Sequence, residues 1–160
     1  MEAIINADLN NYKHASAVVY LLNEYAKDPM GGGAELTDDV KKNLVSELKK
    51  RPGIVIFLAF VDDNPAGLAI CIEGFSSFAC KPLLNVHDVV VAAEYRGRGI
   101  SKRLLASVEE TAVSLGCCKL TLEVLEGNRI AQAAYKAYGF EGYELNPLMG
   151  KALFWQKILT

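Results

Sequence analysis

A strand that runs through a glycine-bearing turn straight into a helix can hold an anion. The stretch Val89-Val90-Val91-Ala92-Ala93-Glu94-Tyr95-Arg96-Gly97-Arg98-Gly99-Ile100-Ser101-Lys102 has that form. The first N–H groups of a helix have no partner inside it, and the helix dipole is positive at that end. Here those groups run from Gly97 to Ser101, and the two glycines let a ligand come close to the backbone. A pyrophosphate fits this description. The plainer alternative is a helix start with solvated arginines. No G-x-x-x-x-G-K-[ST] loop occurs in the chain, and the G-x-G-x-x-G fingerprint fails because Lys102 stands at its third glycine position, so mononucleotides and dinucleotides lose ground.

The elements that must position this turn are legible from spacing. Ile54 to Val61 is a short run rich in β-branched and aromatic residues, followed by the turn chemistry of Asp62-Asp63-Asn64-Pro65, and predicts a central strand in a hairpin with Gly67 to Glu73. Val89 to Ala93 predicts the strand that enters the turn, and the segment Phe75 to Leu83, with Pro82 in it, reads as irregular. Ile100, Leu104, Leu105, Val108, Ala112 and Leu115 share one helix face, with Gly116 as the stop. Leu120, Leu122 and Val124 alternate with polar residues, and Ile130, Ala133, Ala134 and Ala137 return to helical spacing before Gly139.

Upstream, Leu9 to Tyr25 and Thr37 to Leu48 predict two helices separated by Asp28-Pro29-Met30-Gly31-Gly32-Gly33. Short strands are expected at Ala3 to Asn6 and near Ala152 to Ile158. The sum is an α/β (α+β) fold with a mixed, mostly antiparallel central sheet of about six to seven strands flanked by helices, mixed because strand-helix-strand units pair in parallel while the hairpin pairs antiparallel. Residues 1–160 read as a single domain, without repeat, low-complexity tract or linker.

Composition narrows the function. The 160 residues are 51% hydrophobic and 22% charged, and 17 Lys and Arg against 19 Asp and Glu leave a net charge of -2. The basic residues are scattered apart from Arg96, Arg98, Lys102 and Arg103, so no broad cationic face exists and nucleic acid is not expected as a partner. The longest uninterrupted apolar run, Ile54 to Val61, is far short of the roughly 20 residues that cross a bilayer, so no membrane partner is expected. The opening residues lack a basic patch followed by an apolar stretch and a cleavage site, and a cytoplasmic location is expected. Cys71, Cys80, Cys117 and Cys118 form no C-x-x-C pair and read as buried thiols, and no metal is called for.

The turn resembles the signature of the GNAT superfamily of N-acetyltransferases, [R/Q]-x-x-G-x-[G/A], through Arg96-Gly97-Arg98-Gly99-Ile100-Ser101. Ser101 stands where the family keeps Gly or Ala, adding a hydroxyl that can donate to phosphate and bulk where the backbone is usually bare. A second family element is an Asn that opens a helix, a Tyr seven residues on and a Y-G-F turn. It is matched by Asn128, Tyr135 and Tyr138-Gly139-Phe140. The resemblance covers about residues 54 to 158.

That resemblance implies acetyl transfer from acetyl-CoA to a primary amine of a small molecule, such as a polyamine or an amino acid, by direct attack in a ternary complex. Protein N-terminal or lysine acetylation and a non-catalytic acyl-CoA-binding module are the rival readings. The family places the cosubstrate arm against backbone groups that map to Val89, Val90 and Val91, and its diphosphate on Arg96, Gly97, Arg98, Gly99, Ile100 and Ser101. It places an amide contact at Asn128, whose plainer role is an N-cap, and a general acid at Tyr135, whose plainer role is packing.

Attack needs a neutral amine, so a base or water chain must remove a proton. His87 can trade protons near neutral pH, and Asp88 beside it can act or attract a cationic acceptor. The plainer reading of His87 is a hydrogen-bonded structural histidine. On a regular strand the two side chains point to opposite faces. Glu73 and Glu123 are further candidates. The layout from Gly67 through Phe75-Ser76-Ser77-Phe78 to Val86-His87-Asp88-Val89 is similar to the diamine and thialysine acetyltransferases, with His87 where the first residue of their acidic pair stands. Residues 1 to 50 would wall the acceptor side, and homodimers are frequent in the family.

Overall fold

Ile54–Val61 forms a strand (β2) buried along nearly its whole length, as its unbroken apolar run requires. It turns into β3, Asn64–Ser76, through Asp62 and Asp63, whose φ angles of 46° and 66° make the mirror-image turn that suits a two-residue hairpin. Aspartate tolerates that left-handed backbone because its short side chain can bond locally. The computed structural model describes residues 1–159. Its elements divide into two units, residues 1–122 and the residues from Glu123 onward.

In the first unit, β1 (Glu2–Asn6) pairs antiparallel with β2, β2 with β3, and β3 with β4 (Lys81–Val91). β5 (Leu120–Leu122) adds a short parallel edge on β4, so the sheet runs β1-β2-β3-β4-β5. Helices α1 (Tyr12–Lys27) and α2 (Asp38–Lys49) start where the polar caps dictate. Asn11 accepts from the Lys13 and His14 N–H groups, and Thr37 accepts from that of Val40. Helix α3 (Ile100–Ser114) follows a single 3-10 turn at Ala93–Tyr95.

The sheet is covered on both faces. Val18 and Leu21 of α1 pack with Ile56, Leu58, Phe60, Leu68, Ile70 and Val90, and Tyr25, Leu44, Leu48 and Tyr95 close the edges of that cluster. On the opposite face α3 lays its buried stripe of Ile100, Leu104, Leu105, Val108 and Ala112 over β2, β3 and β4. The second unit holds α4 (Arg129–Tyr138), capped by Asn128 and by Gly139 at φ 110°, a 3-10 turn at Pro147–Met149 and an antiparallel bridge between Glu144 and Lys151.

The α/β class and the mostly antiparallel sheet are as expected, but the strand count is five, not six or seven. Ala152 to Ile158 carries the composition of a strand yet forms none. Its large side chains Leu153, Phe154, Trp155 and Ile158 are exposed, and composition alone supplies no ladder partner. Phe75 to Leu83, expected as irregular, extends the β3–β4 hairpin on both sides. Pro82 is tolerated there because only its carbonyl is used, accepting the Cys118 N–H at 2.8 Å. Of the cysteines only Cys71 is buried. Cys117 is half-buried, and Cys80 and Cys118 are exposed, one in the hairpin turn with φ 49° and the other in the loop before β5.

Candidate active site

The two neighbours of β4 leave it unequally paired. On the β5 side the register is Leu84↔Leu120, Asn85↔Thr121 and Val86↔Leu122, with the Asn85 Nδ2 donating to the Thr121 hydroxyl at 3.0 Å, and the ladder stops there. β4 runs on to Val91. Among the described residues, His87 to Val91 therefore have no strand partner on that edge.

The β3 side is irregular at the same place. Ile70 pairs with Asp88 and Cys71 with Val86, so His87 is the extra residue of a bulge. The strict alternation expected of His87 and Asp88 is interrupted there. Asp88 shares the face of Ile70, the side covered by α1, while His87 is exposed. Burial pushes the Asp88 carboxyl above its ordinary range, with His87 acting weakly the other way. The same crowding raises the Tyr25 hydroxyl through burial and then the charges of Asp88 and Asp28. It also pushes the Cys71 thiol to about 12, burial first and Asp88 second, which leaves that thiol inert as a nucleophile.

Beyond the bulge the backbone sorts itself. The Ala92 N–H donates to the Ala66 carbonyl at 2.9 Å, and alternation along an antiparallel ladder then turns the groups of Val90 toward β3 and those of Val89 and Val91 away from it. The Val91 carbonyl is capped by Arg96 Nε at 3.1 Å. What this edge offers is the N–H and carbonyl of Val89 and the N–H of Val91.

The strand leads into the candidate anion cradle. Gly97 and Gly99 sit at φ 78° and 75°, in the left-handed region that favours glycine. A Cβ on Gly97 would meet nothing within 4 Å, so the residue faces open space. Gly99 is the N-cap of α3 and provides no side-chain acceptor, which leaves the donors of the first turn pointing outward. Ile100 anchors the turn in the core at 2% exposure, and Ser101 is half-buried. The donor set, with its positive dipole and bare surface, fits a diphosphate.

The four cations of the turn divide into two roles. Arg103 donates to Glu2 Oε2 at 2.6 Å and to the Arg98 carbonyl at 3.1 Å, and Arg96 donates to Asp28 Oδ2 at 3.0 Å. Arg98 stacks over the Tyr95 ring at 5.3 Å. Among the described residues, Arg98 and Lys102 are in no ion pair, and both are exposed beside the cradle.

In the second unit Asn128 acts as the N-cap of α4, its Oδ1 accepting the Ala131 N–H at 3.2 Å. Tyr135, half-buried, meets Phe140 edge-on at 5.9 Å, and Tyr138 lies against the same ring at 6.2 Å. Thus His87, Asp88, Val89, Val91 and Gly97 to Ser101 come together around one strand end, while Asn128 and Tyr135 share one helix. Glu73 lies on β3 beside Gly53 and pairs with Leu84, outside the bulge, and Glu123 opens the second unit. Asp28, which Arg96 recruits, was missed by sequence reasoning, since only its place before Pro29 marked it.

The sequence profile of the Acetyltransferase (GNAT) family matches residues 17–140. The chain belongs to that family. As a GNAT acetyltransferase it is an acetyl-transferring enzyme, and its curated relatives include the thialysine N-epsilon-acetyltransferase of Bos taurus, 36% identical over 128 residues, 68% of each chain. An aminoglycoside N(6')-acetyltransferase type 1 of Salmonella typhimurium is 26% identical over 101 residues, 61% of this chain and 70% of that protein. The GNAT fold is shared with a possible acetyltransferase from Clostridium difficile at TM-score 0.80 and 18% identity, covering 100% of this chain and 99% of that one. It is shared also with an aminoglycoside N-acetyltransferase solved in complex with CoA, at TM-score 0.75 and 21% identity, covering 98% and 95%. No group of three or more His, Cys, Asp or Glu among the described residues could hold a metal ion.

Proposed function

We propose that this enzyme transfers acetyl from acetyl-CoA to the primary amine of a small molecule, with both substrates bound at once and residues 1–160 working as one acetyltransferase domain. The observation that carries the reading is the unpaired edge of β4 from His87 to Val91, which ends on the Gly97–Ser101 cradle. The spacing supports a cosubstrate with an amide-bearing arm and a diphosphate. The arm finds peptide groups at Val89 and Val91, and the diphosphate finds helix donors one turn further on. Acetyl-CoA supplies, when bound, a thioester carbonyl open to attack by an amine.

The residues then have separate tasks. An outward N–H of the β4 edge donates to the thioester oxygen as negative charge grows there, a contact worth about 3 kcal/mol of barrier. Holding amine and thioester side by side contributes more. His87, exposed at the bulge, takes the proton from the ammonium directly or through water, and Asp88 fixes the local charge. Tyr135 donates a proton to the leaving sulfur, and Asn128 keeps its amide N–H groups for the arm while its oxygen caps α4. Similarity to a thialysine acetyltransferase supports a small amine over a peptide. A homodimer in the cytoplasm is part of the same reading, and gel filtration tests its first half.

A screen of amines with acetyl-CoA, following free thiol, decides the matter. Polyamines, thialysine, aminoglycosides and peptides form its arms. Thiol release with a small amine is expected. Release only with peptides would move the protein to protein acetylation, and no release together with no CoA binding would end the proposal.

A further inference from the structure

Arg96 commits its guanidinium to partners within the chain. Its Nε donates to the Val91 carbonyl at 3.1 Å and its Nη2 to Asp28 Oδ2 at 3.0 Å, across 68 positions of sequence. Asp28 is equally committed. Its Oδ1 accepts the Met30 N–H at 2.9 Å, its carbonyl accepts the Gly31 and Gly33 N–H groups at 2.8 and 3.1 Å, and its own N–H ends α1 on the Tyr25 carbonyl at 3.0 Å. The loop these bonds hold is sharply bent, since a Cβ on Gly31 would lie 1.9 Å from the Tyr25 carbonyl oxygen and Gly33 has φ 76°. One aspartate therefore ties the end of α1, the α1–α2 loop and the exit of β4 together. A guanidinium with two of its donors so placed is a strut, and diphosphate recognition is left to the backbone cradle and to Arg98 and Lys102.

We infer that Asp28 is a positioning residue for acetyl transfer, clamping the Asp28–Gly33 loop through Arg96 to the end of β4 so that the loop flanking the amine and the turn holding the cosubstrate keep one relative placement. The inference rests on the function proposed above together with the expectation from the sequence that residues 1 to 50 wall the acceptor side. The donors that hold the Asp28 carboxyl below its ordinary value, Met30 first and Arg96 second, keep the clamp charged well into acid. With the Arg96 side chain 56% exposed and that of Asp28 24%, its loss should shift binding moderately and leave the fold intact.

The test uses Asp28→Asn, Arg96→Gln and the double variant, with thialysine as the amine, CoA binding by calorimetry and amide hydrogen exchange at Met30, Gly31 and Gly33. Each single variant should raise the KM for thialysine about threefold to tenfold, the double no more than the worse single, with the Kd for CoA held within about twofold. The three amides should exchange faster in both. A tenfold or greater loss of CoA affinity in Arg96→Gln alone would make Arg96 a diphosphate ligand and overturn the clamp. So would single effects that multiply in the double variant. If the wild type turns over no thialysine, exchange alone decides: unchanged rates in both variants sink the clamp, and raised rates uphold it whatever the fate of the functional reading. Should Arg96→Gln fail to fold, Arg96→Lys takes its place, with a raised thialysine KM at constant CoA affinity upholding the clamp and an unchanged KM overturning it.

Discussion

Gly67 on β3 faces Ile100, the first residue of α3, so closely that a Cβ at Gly67 would stand 2.9 Å from Ile100 Cγ2, 3.1 Å from Leu104 Cδ1 and 3.2 Å from the Val90 carbonyl oxygen. The start of α3 is thus seated on bare backbone in the sheet. Gly67→Ala should cost about 1–3 kcal/mol of stability, because Ile100 and Leu104 are fully buried and have nowhere to retreat. Urea unfolding measures the loss. A weakened CoA affinity in the same variant would show that the helix start has shifted, and an unchanged midpoint would refute the close fit.

Gly97→Glu tests the cradle itself. Nothing within 4 Å of the added Cβ opposes folding through contact, although φ 78° strains any side chain there by about 1 kcal/mol. The new carboxylate would stand where the proposed diphosphate would bind. Loss of CoA affinity by more than tenfold, with retained circular dichroism, is the expected result.

Replacing Tyr135 by Phe removes one hydroxyl and keeps the ring against Phe140. A fall in kcat of about 100-fold with the KM for acetyl-CoA nearly constant is expected, in line with general-acid contributions. Equal kcat would return Tyr135 to a packing role.

His87→Gln should lower kcat by about 100-fold, since the exposed imidazole at the bulge is the proposed proton acceptor, with CoA affinity nearly constant. An unchanged kcat would remove His87 from the mechanism.

The raised Asp88 carboxyl has a sign that stability can report. A carboxyl that holds its proton to higher pH in the folded chain than in the unfolded one costs stability as pH rises from about 4, the ordinary carboxylate value, through the raised one. Asp88→Asn removes that cost. Its stability relative to wild type should therefore improve across that window and level off above it, by denaturant unfolding at a series of pH values. A difference independent of pH would mean that the folded and unfolded carboxyls titrate alike.

Local patterns predicted what local forces decide. The run Ile54–Val61 is bounded by Gly53 and by Asp62, and the α3 stripe by Gly99 and Gly116, so each element follows from its own residues. The glycine turn was legible for the same reason. The bulge at His87 was not, because it arises from the register of β3 against β4, which no window on one strand contains. Asp28 escaped notice because its partner lies 68 residues away. The stretch Ala152 to Ile158 shows the converse: strand-like composition does not make a ladder, and the described structure has no strand there, only the Ala152 N–H bonded to the Tyr143 carbonyl at 3.0 Å.

The cradle at Gly97 and Gly99 is built from main-chain donors, and that gives it latitude. Every residue but proline carries the same amide, so positions 98 and 101 can drift in chemistry without removing the proposed contacts, provided both torsions survive and Ile100 keeps its seat in the core. On the proposed reading, tuning of strength then falls to the exposed side chains of Arg98 and Lys102, which can change while the main-chain architecture stays put.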